Sequence, residues 1–278
     1  MSDAAAPLAR DTSDRVPVVK AALIGAAAGL LGGLFGVGGG LVIVPGLVGF
    51  AAMERRLAHG TSLAATLPIA IASLTTYLLQ GIVDWAVAAC LAVGAIAGAI
   101  AGTQLLQVIP KRLLVIVFVV TVLATASRLL LGTDGSGRND LTIGLGLLLV
   151  VIGFLTGTLA GLLGIGGGVI MVPAMVVLLG MPPALAKGTS VAVIVPTSIM
   201  GTIRNRKHAN ADLRTATIIG LCGAASAVVG ATVSDRLDDD VANVMFGLLL
   251  VVVAVTQLLT LRPTPDPAAP ARPTTGGR

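Results

Sequence analysis

The sequence predicts an all-α, polytopic transmembrane helical protein built as two inverted repeats, each a broken helical hairpin plus three spanning helices. Three observations carry this. Hydrophobic residues make up 55% of the 278 residues and charged residues 11%, against about 25% charged in a soluble domain, and the mean hydropathy is +0.99. The charges cluster between long apolar runs, the layout of a chain whose loops alone meet water. The third observation is a duplication. Shifting the sequence by 128 residues without a gap pairs Gly36 with Gly164, Pro45 with Pro173, Gly60 with Gly188, Pro68 with Pro196 and Asp84 with Asp212, and gives 22 identities over residues 25–84. Apolar sequence gives chance matches, but not glycine clusters and prolines at one fixed offset.

The organisation follows in order. Residues 1–17 are polar and read as a disordered cytoplasmic arm, residues 18–132 as the first membrane repeat and 133–140 as an external linker. Residues 141–261 read as the second repeat, and 262–278, rich in proline, as a disordered cytoplasmic tail. The apolar segments are roughly 18–35, 41–53, 61–80, 85–107, 113–131, 141–163, 169–180, 189–203, 215–233 and 241–261. Segments 41–53 and 169–180 fall short of the ~20 residues that span a bilayer. Each follows a glycine cluster, Gly36-Val37-Gly38-Gly39-Gly40 or Gly164-Ile165-Gly166-Gly167-Gly168. Each glycine costs ~1 kcal/mol in a helix relative to alanine. The clusters therefore predict a helix, a break and a returning half-helix.

Lysine and arginine set the orientation. If each broken pair enters and leaves on one side, that face carries 14 of the 18 basic residues, with Arg128, Arg138, Lys187 and Arg236 opposite. The odd number of crossings per half inverts the second repeat, an arrangement common among secondary transporters. Both termini are then cytoplasmic.

The candidate site residues are Gly38, Gly39, Gly40, Thr61, Ser62, Gly166, Gly167, Gly168, Lys187, Thr189, Ser190 and Arg204. A break at membrane depth must be buried in protein or line a cavity. The N-terminus of a half-helix favours an anion. Close packing is the competing reading for the glycines, and the better one for the small-residue faces Gly25-Gly29-Gly33, Gly94-Gly98-Gly102 and Gly153-Gly157-Gly161. Gly60-Thr61-Ser62 and Gly188-Thr189-Ser190 open the following helices, as N-caps or as hydroxyl donors to the same anion. Lys187 and its counterpart His59 could supply positive charge or lie in solvated loops. Arg204 heads a basic cluster that either attracts substrate or marks the cytoplasmic end of a helix. Asp84 and Asp212 read as N-caps, Pro68 and Pro196 as mid-helix kinks that each free a carbonyl.

Several functions are excluded. No Walker-type loop, HExxH or G-x-S-x-G is present, and no acidic residue or histidine lies at the centre of a span. The chain reads as no enzyme and needs no cofactor. The two cysteines, Cys90 and Cys222, lie in apolar runs, away from any disulfide framework. The expected partners are the lipid bilayer and a small anionic substrate, with no nucleic acid; oligomeric state is open, a homodimer being one option.

Gly33-Leu34-Phe35-Gly36-Val37-Gly38-Gly39-Gly40 with Pro45 and Gly60-Thr61-Ser62, and its second copy Gly161-Leu162-Leu163-Gly164-Ile165-Gly166-Gly167-Gly168 with Pro173 and Lys187-Gly188-Thr189-Ser190, resemble the TauE/SafE sulfite exporter family. The likeness covers about 18–261. It implies a bacterial inner-membrane permease for sulfite, sulfoacetate or related organosulfonates, usually assigned to export. A transporter of another solute, a proton-coupled importer and a non-transporting scaffold subunit are the alternatives.

The charge split predicts a topology. With Cys90 and Cys222 removed, single cysteines near Arg56, Lys111 and Lys207 should label from the cytoplasm, and those near Gly135 and Asp239 from outside. Labelling of the Arg56 and Lys207 loops from opposite sides would break the inverted arrangement.

Overall fold

The computed structural model describes residues 16–105, 142–163, 166–207 and 211–260, with short helical pieces at 119–120, 123–124 and 126–127. The expected arm up to residue 15, the linker 133–140, the tail and most of segment 113–131 lie outside these residues. Every regular element among them is helical. The helices are α1 (Val18–Phe35), α2 (Gly40–Pro45, continued by a π-helical turn Gly46–Phe50), α3 (Arg55–Leu79), α4 (Trp85–Leu105), α5 (Ile143–Leu163), α6 (Gly168–Leu179), α7 (Pro183–Lys207), α8 (Leu213–Arg236) and α9 (Asp239–Thr260). Of these, α1, α3, α5, α7 and α8 are long and apolar enough to cross a bilayer. The chain is an all-α polytopic membrane protein.

The breaks fall at the glycine clusters. Gly36 caps α1 with φ +67°, and Gly38 and Gly39 follow at +73° and +78°. Gly166 and Gly167 repeat this at +82° and +78°. Other L-residues lose roughly 1–2 kcal/mol in that left-handed region, so only glycine makes three such positions cheap. Beyond the break, α2 folds back along α1. A Cβ on Gly39 would sit 2.8 Å from the Ala28 carbonyl oxygen, and one on Gly46 3.1 Å from Ile24 Cγ1. At the open end, the Lys20 ammonium donates to the Phe50 carbonyl over 3.0 Å. The first broken pair is thus a hairpin whose two ends lie together.

The capping expectation for the two Gly-Thr-Ser triplets is corrected. Helix α3 begins at Arg55 after Glu54, and α7 begins at Pro183, a residue preorganised for a first turn. Gly60-Thr61-Ser62 and Gly188-Thr189-Ser190 therefore lie more than a turn inside their helices and cap nothing. Pro68 and Pro196 lie inside these helices, as expected. Asp84 and Asp212 do cap the helices after them: Asp84 Oδ1 accepts from the Ala86 and Val87 N–H groups, and Asp212 Oδ1 from those of Arg214 and Thr215.

Each repeat is completed by the other. Positions where a Cβ would begin on Gly25, Gly29 and Gly33 of α1 are filled by the carbonyls of Ile219, Gly223 and Ala227 of α8. The same pattern recurs at the 128-residue offset: Gly153 and Gly157 of α5 face the carbonyls of Leu91 and Ala95 of α4. In both pairs the numbers rise together, so the helices are parallel. Between them, α3 and α7 cross antiparallel. The start of α3 meets the end of α7 (Gly201 against Leu63), and the start of α7 meets the end of α3 (Gly188 against Tyr77 and Ile82).

Gly98→Ala drives a methyl into the Phe154 carbonyl, whereas a Cβ on Gly144 meets nothing within 4 Å. The first should lower stability by about 1–3 kcal/mol and the second should be near neutral. Melting temperatures of the purified variants in one detergent check this.

Candidate functional site

The two glycine breaks meet where α3 crosses α7. A Cβ on Gly168 would lie 2.9 Å from both the Gly36 carbonyl oxygen and Val37 Cα, and one on Gly166 3.7 Å from the Val37 carbonyl oxygen. The Val42 and Ile43 N–H groups donate to the Gly39 carbonyl, and those of Ile170 and Met171 to the Gly167 carbonyl. The peptide groups at Gly40 and Leu41, and at Gly168 and Val169, come too early in their helices to find an acceptor within them. Two half-helix N-termini from different repeats are therefore brought to one point, each with a partial positive charge. The walls come from matching positions. Thr66 Cγ2 and Ile194 Cγ2 each lie 3.1 Å from the Cβ position of Gly38, and both side chains also approach Gly166.

The hydroxyls divide. Thr61 and Thr189 are fully buried and tie the repeats together: Thr61 Oγ1 accepts from the Asp212 N–H over 2.9 Å, and Thr189 Oγ1 from the Asp84 N–H over 3.0 Å. Thr189 also donates to the Leu185 carbonyl. These two hydroxyls hold the turns before α8 and α4, one at each end of the α3–α7 pair. Ser62 and Ser190 are buried beside them, and the Ser190 hydroxyl has no hydrogen-bond partner.

The charged candidates separate further. Lys187 is only 3% exposed. Its backbone packs on Gly36, with Cα 2.7 Å from that residue's Cβ position. Its ammonium lies 6.0 Å from the Phe35 ring centroid and 5.5 Å from that of Phe246, and the two rings stack 5.6 Å apart. An ammonium over such faces is attracted by their negative quadrupole. Arg204 instead donates from Nη1 to the Ala99 carbonyl on α4 over 3.2 Å. Seventeen residues of helix put it about 25 Å along α7 from Lys187. One small anion cannot touch both, so the structure joins Lys187 to the glycine loops and leaves Arg204 at the far end of α7.

Sequence reasoning passed over Thr66, Ile194, Phe35, Tyr77 and Phe246. The chain has only five Phe, one Tyr and one Trp. Three of these seven gather around Lys187 and the first break, with the Tyr77 hydroxyl donating to the Gly33 carbonyl over 2.6 Å. Scarcity of aromatics was the available signal.

The sulfite exporter TauE/SafE family matches residues 4–131 and 149–277. The chain belongs to this family. Among its relatives, a probable membrane transporter protein of Xylella fastidiosa (strain 9a5c) is 26% identical over 246 residues, 86% of this chain and 93% of that protein. The probable membrane transporter protein YunE of Bacillus subtilis (strain 168) is 27% identical over 205 residues, 65% of this chain and 75% of that protein. No solved structure matches the chain.

In this TauE/SafE member the threonine ties have a measurable worth. Thr61→Val and Thr189→Val each keep the side-chain shape and leave a loop N–H without its acceptor, at a cost of about 1–3 kcal/mol. Thermal unfolding should show both variants destabilised by similar amounts, since the two ties occupy equivalent places.

Proposed function

We propose that this membrane transporter is a secondary permease that carries sulfite, sulfoacetate or a related organosulfonate out of the cell. The observation that carries the reading is the convergence of two half-helix N-termini, from opposite repeats, on one buried point beside Lys187. Peptide N–H groups and an ammonium in a low-dielectric setting suit an oxyanion, which must exchange its water shell for fixed donors. Of the sequence candidates, Gly38–Gly40, Gly166–Gly168, Ser190 and Lys187 are assigned to this site. Thr61, Thr189 and Arg204 are assigned to holding the helices around it, with Ser62 beside them.

In this structure the two glycine loops touch, so the anion is reached only when the repeats part at one end. Antiparallel α3 and α7, tied at either end by Thr61–Asp212 and Thr189–Asp84, allow one end to open while the other stays closed. That is the alternating access that inverted repeats provide. The basic bias of one face supports cytoplasmic termini and an inner-membrane location. Anion exit from a cell with a negative interior gains ~2.3 kcal/mol per charge per 100 mV, so no nucleotide is required.

The test is efflux from liposomes containing only this protein, loaded with sulfite or sulfoacetate, under an imposed potential. Efflux should quicken when the interior is negative. Lys187→Gln should weaken substrate affinity about tenfold or more, as expected for loss of a charged hydrogen-bond donor, and Lys187→Arg should recover part of it. A requirement for ATP, or efflux of a singly charged anion indifferent to potential, would overturn the reading.

A further inference from the structure

Most helical threonines among the described residues turn their hydroxyls back on their own helix, although Thr158 donates across to the Gly98 carbonyl of α4 and Thr215 to the Asp212 carboxylate. Thr75, Thr189, Thr197, Thr217 and Thr232 each donate to the carbonyl four residues earlier. Thr66 and Thr202 differ from these in having no partner for the hydroxyl, and Thr66 is the one that touches the glycine loops. It is fully buried, and its Oγ1 has no hydrogen-bond partner. A buried hydroxyl left so is costly, and a bound acceptor would remove the cost. The side chain lies against both breaks: Cγ2 is 3.1 Å from the Cβ position of Gly38 and 3.4 Å from that of Gly166. Oγ1 and Cγ2 branch from the same carbon, so one staggered step of χ1 brings Oγ1 to the place Cγ2 now holds.

The residue 128 positions on is Ile194, and it faces the same loops. Ile194 Cγ2 is 3.1 Å from the Cβ position of Gly38, and its Cδ1 is 2.8 Å from that of Gly168. The two walls thus flank the same glycine, no further apart than twice 3.1 Å at Gly38. A perfect duplicate would have matching walls. Here one offers a hydroxyl and the other only methyl groups.

Resting on the anion-transport reading above, we propose that Thr66 is the specificity-determining residue of the junction. Its hydroxyl donates to one oxygen of the anion, while Ile194 covers a carbon substituent. The site then takes an oxyanion in which one oxygen is replaced by carbon, in preference to a fully oxygenated ion such as sulfate. A sulfate oxygen turned toward Ile194 would lose its water and meet no donor.

The test uses the full chain in nanodiscs, with methanesulfonate and sulfate as probes and binding measured by calorimetry. Wild type should favour methanesulfonate by about tenfold or more, the scale of one unsatisfied charged hydrogen bond. Thr66→Val should lose methanesulfonate affinity about tenfold without a lower melting temperature, and Thr66→Ser should retain it. Ile194→Thr, which restores matching walls, should narrow the preference against sulfate. If Thr66→Val fails to fold, Thr66→Ser and Ile194→Thr still decide: an unchanged preference in Ile194→Thr overturns the proposal. Wild-type protein that binds neither ion overturns both this proposal and the transport reading. Wild-type protein that binds while Thr66→Val is unaltered overturns this proposal alone.

Discussion

Helix α1 lies so close to α8 that carbonyl oxygens of α8 occupy the space where side chains would begin at Gly25, Gly29 and Gly33. Between helices in lipid there is no hydrophobic gain, because acyl chains are as apolar as leucine. Association rests on contact density, and backbone against backbone is the densest contact two helices can make, with Cα–H groups facing carbonyl oxygens. The same contact joins α5 to α4. Because each glycine face pairs with the other repeat, the two halves interlock rather than sit side by side. The crossing of α3 and α7, and the meeting of the glycine loops upon it, follow from that exchange.

The glycines of the breaks serve a different end. Gly25, Gly29 and Gly33 are small because a neighbour is close. Gly36, Gly38, Gly39, Gly166 and Gly167 are glycine because their backbone is left-handed. Their reward is an interrupted helix deep in the protein, with the two breaks in contact where Gly168 meets Gly36 and Val37. Lys187 packs its backbone on Gly36 beside the junction and sets its amine against Phe35 and Phe246. A buried ammonium is tolerated when aromatic faces and nearby dipoles replace part of its hydration. Structure and chemistry thus separate along the sequence: small-residue faces build the frame, and left-handed glycines build the junction.

Much of this was legible from the chain itself. The fixed offset exposed the duplication, and four glycines in five residues exposed each break, since both are local patterns. The helix starts at Arg55 and Pro183 were not, because polar Arg55, Arg56 and His59 and the Pro182-Pro183 pair read as loop. The ties Thr61–Asp212 and Thr189–Asp84 bridge more than a hundred residues, and no local pattern encodes such a meeting. Thr66 was hidden for a related reason: a threonine in an apolar helix looks ordinary until its missing back-bond is seen. Lys187 and Arg204 both stood out as basic residues, and only the length of α7 shows that they serve different ends.

The exchange of helices has a consequence for how such a chain is made. The face of α1 built from Gly25, Gly29 and Gly33 finds its mate in α8, which begins at Leu213. Synthesis proceeds at roughly 5–20 residues per second, so α1 waits about ten seconds or more in the bilayer with its grooved backbone against lipid. The glycine face of α1 stays unpaired throughout that interval, although α2 already packs back on α1 and α4 meets its own mate once α5 arrives. Assembly is therefore a closing step rather than a growing one: the emergence of α8 completes both the oldest helix and the newest. A nascent chain stalled before that point presents an unpaired small-residue face on α1, which distinguishes it from the finished protein.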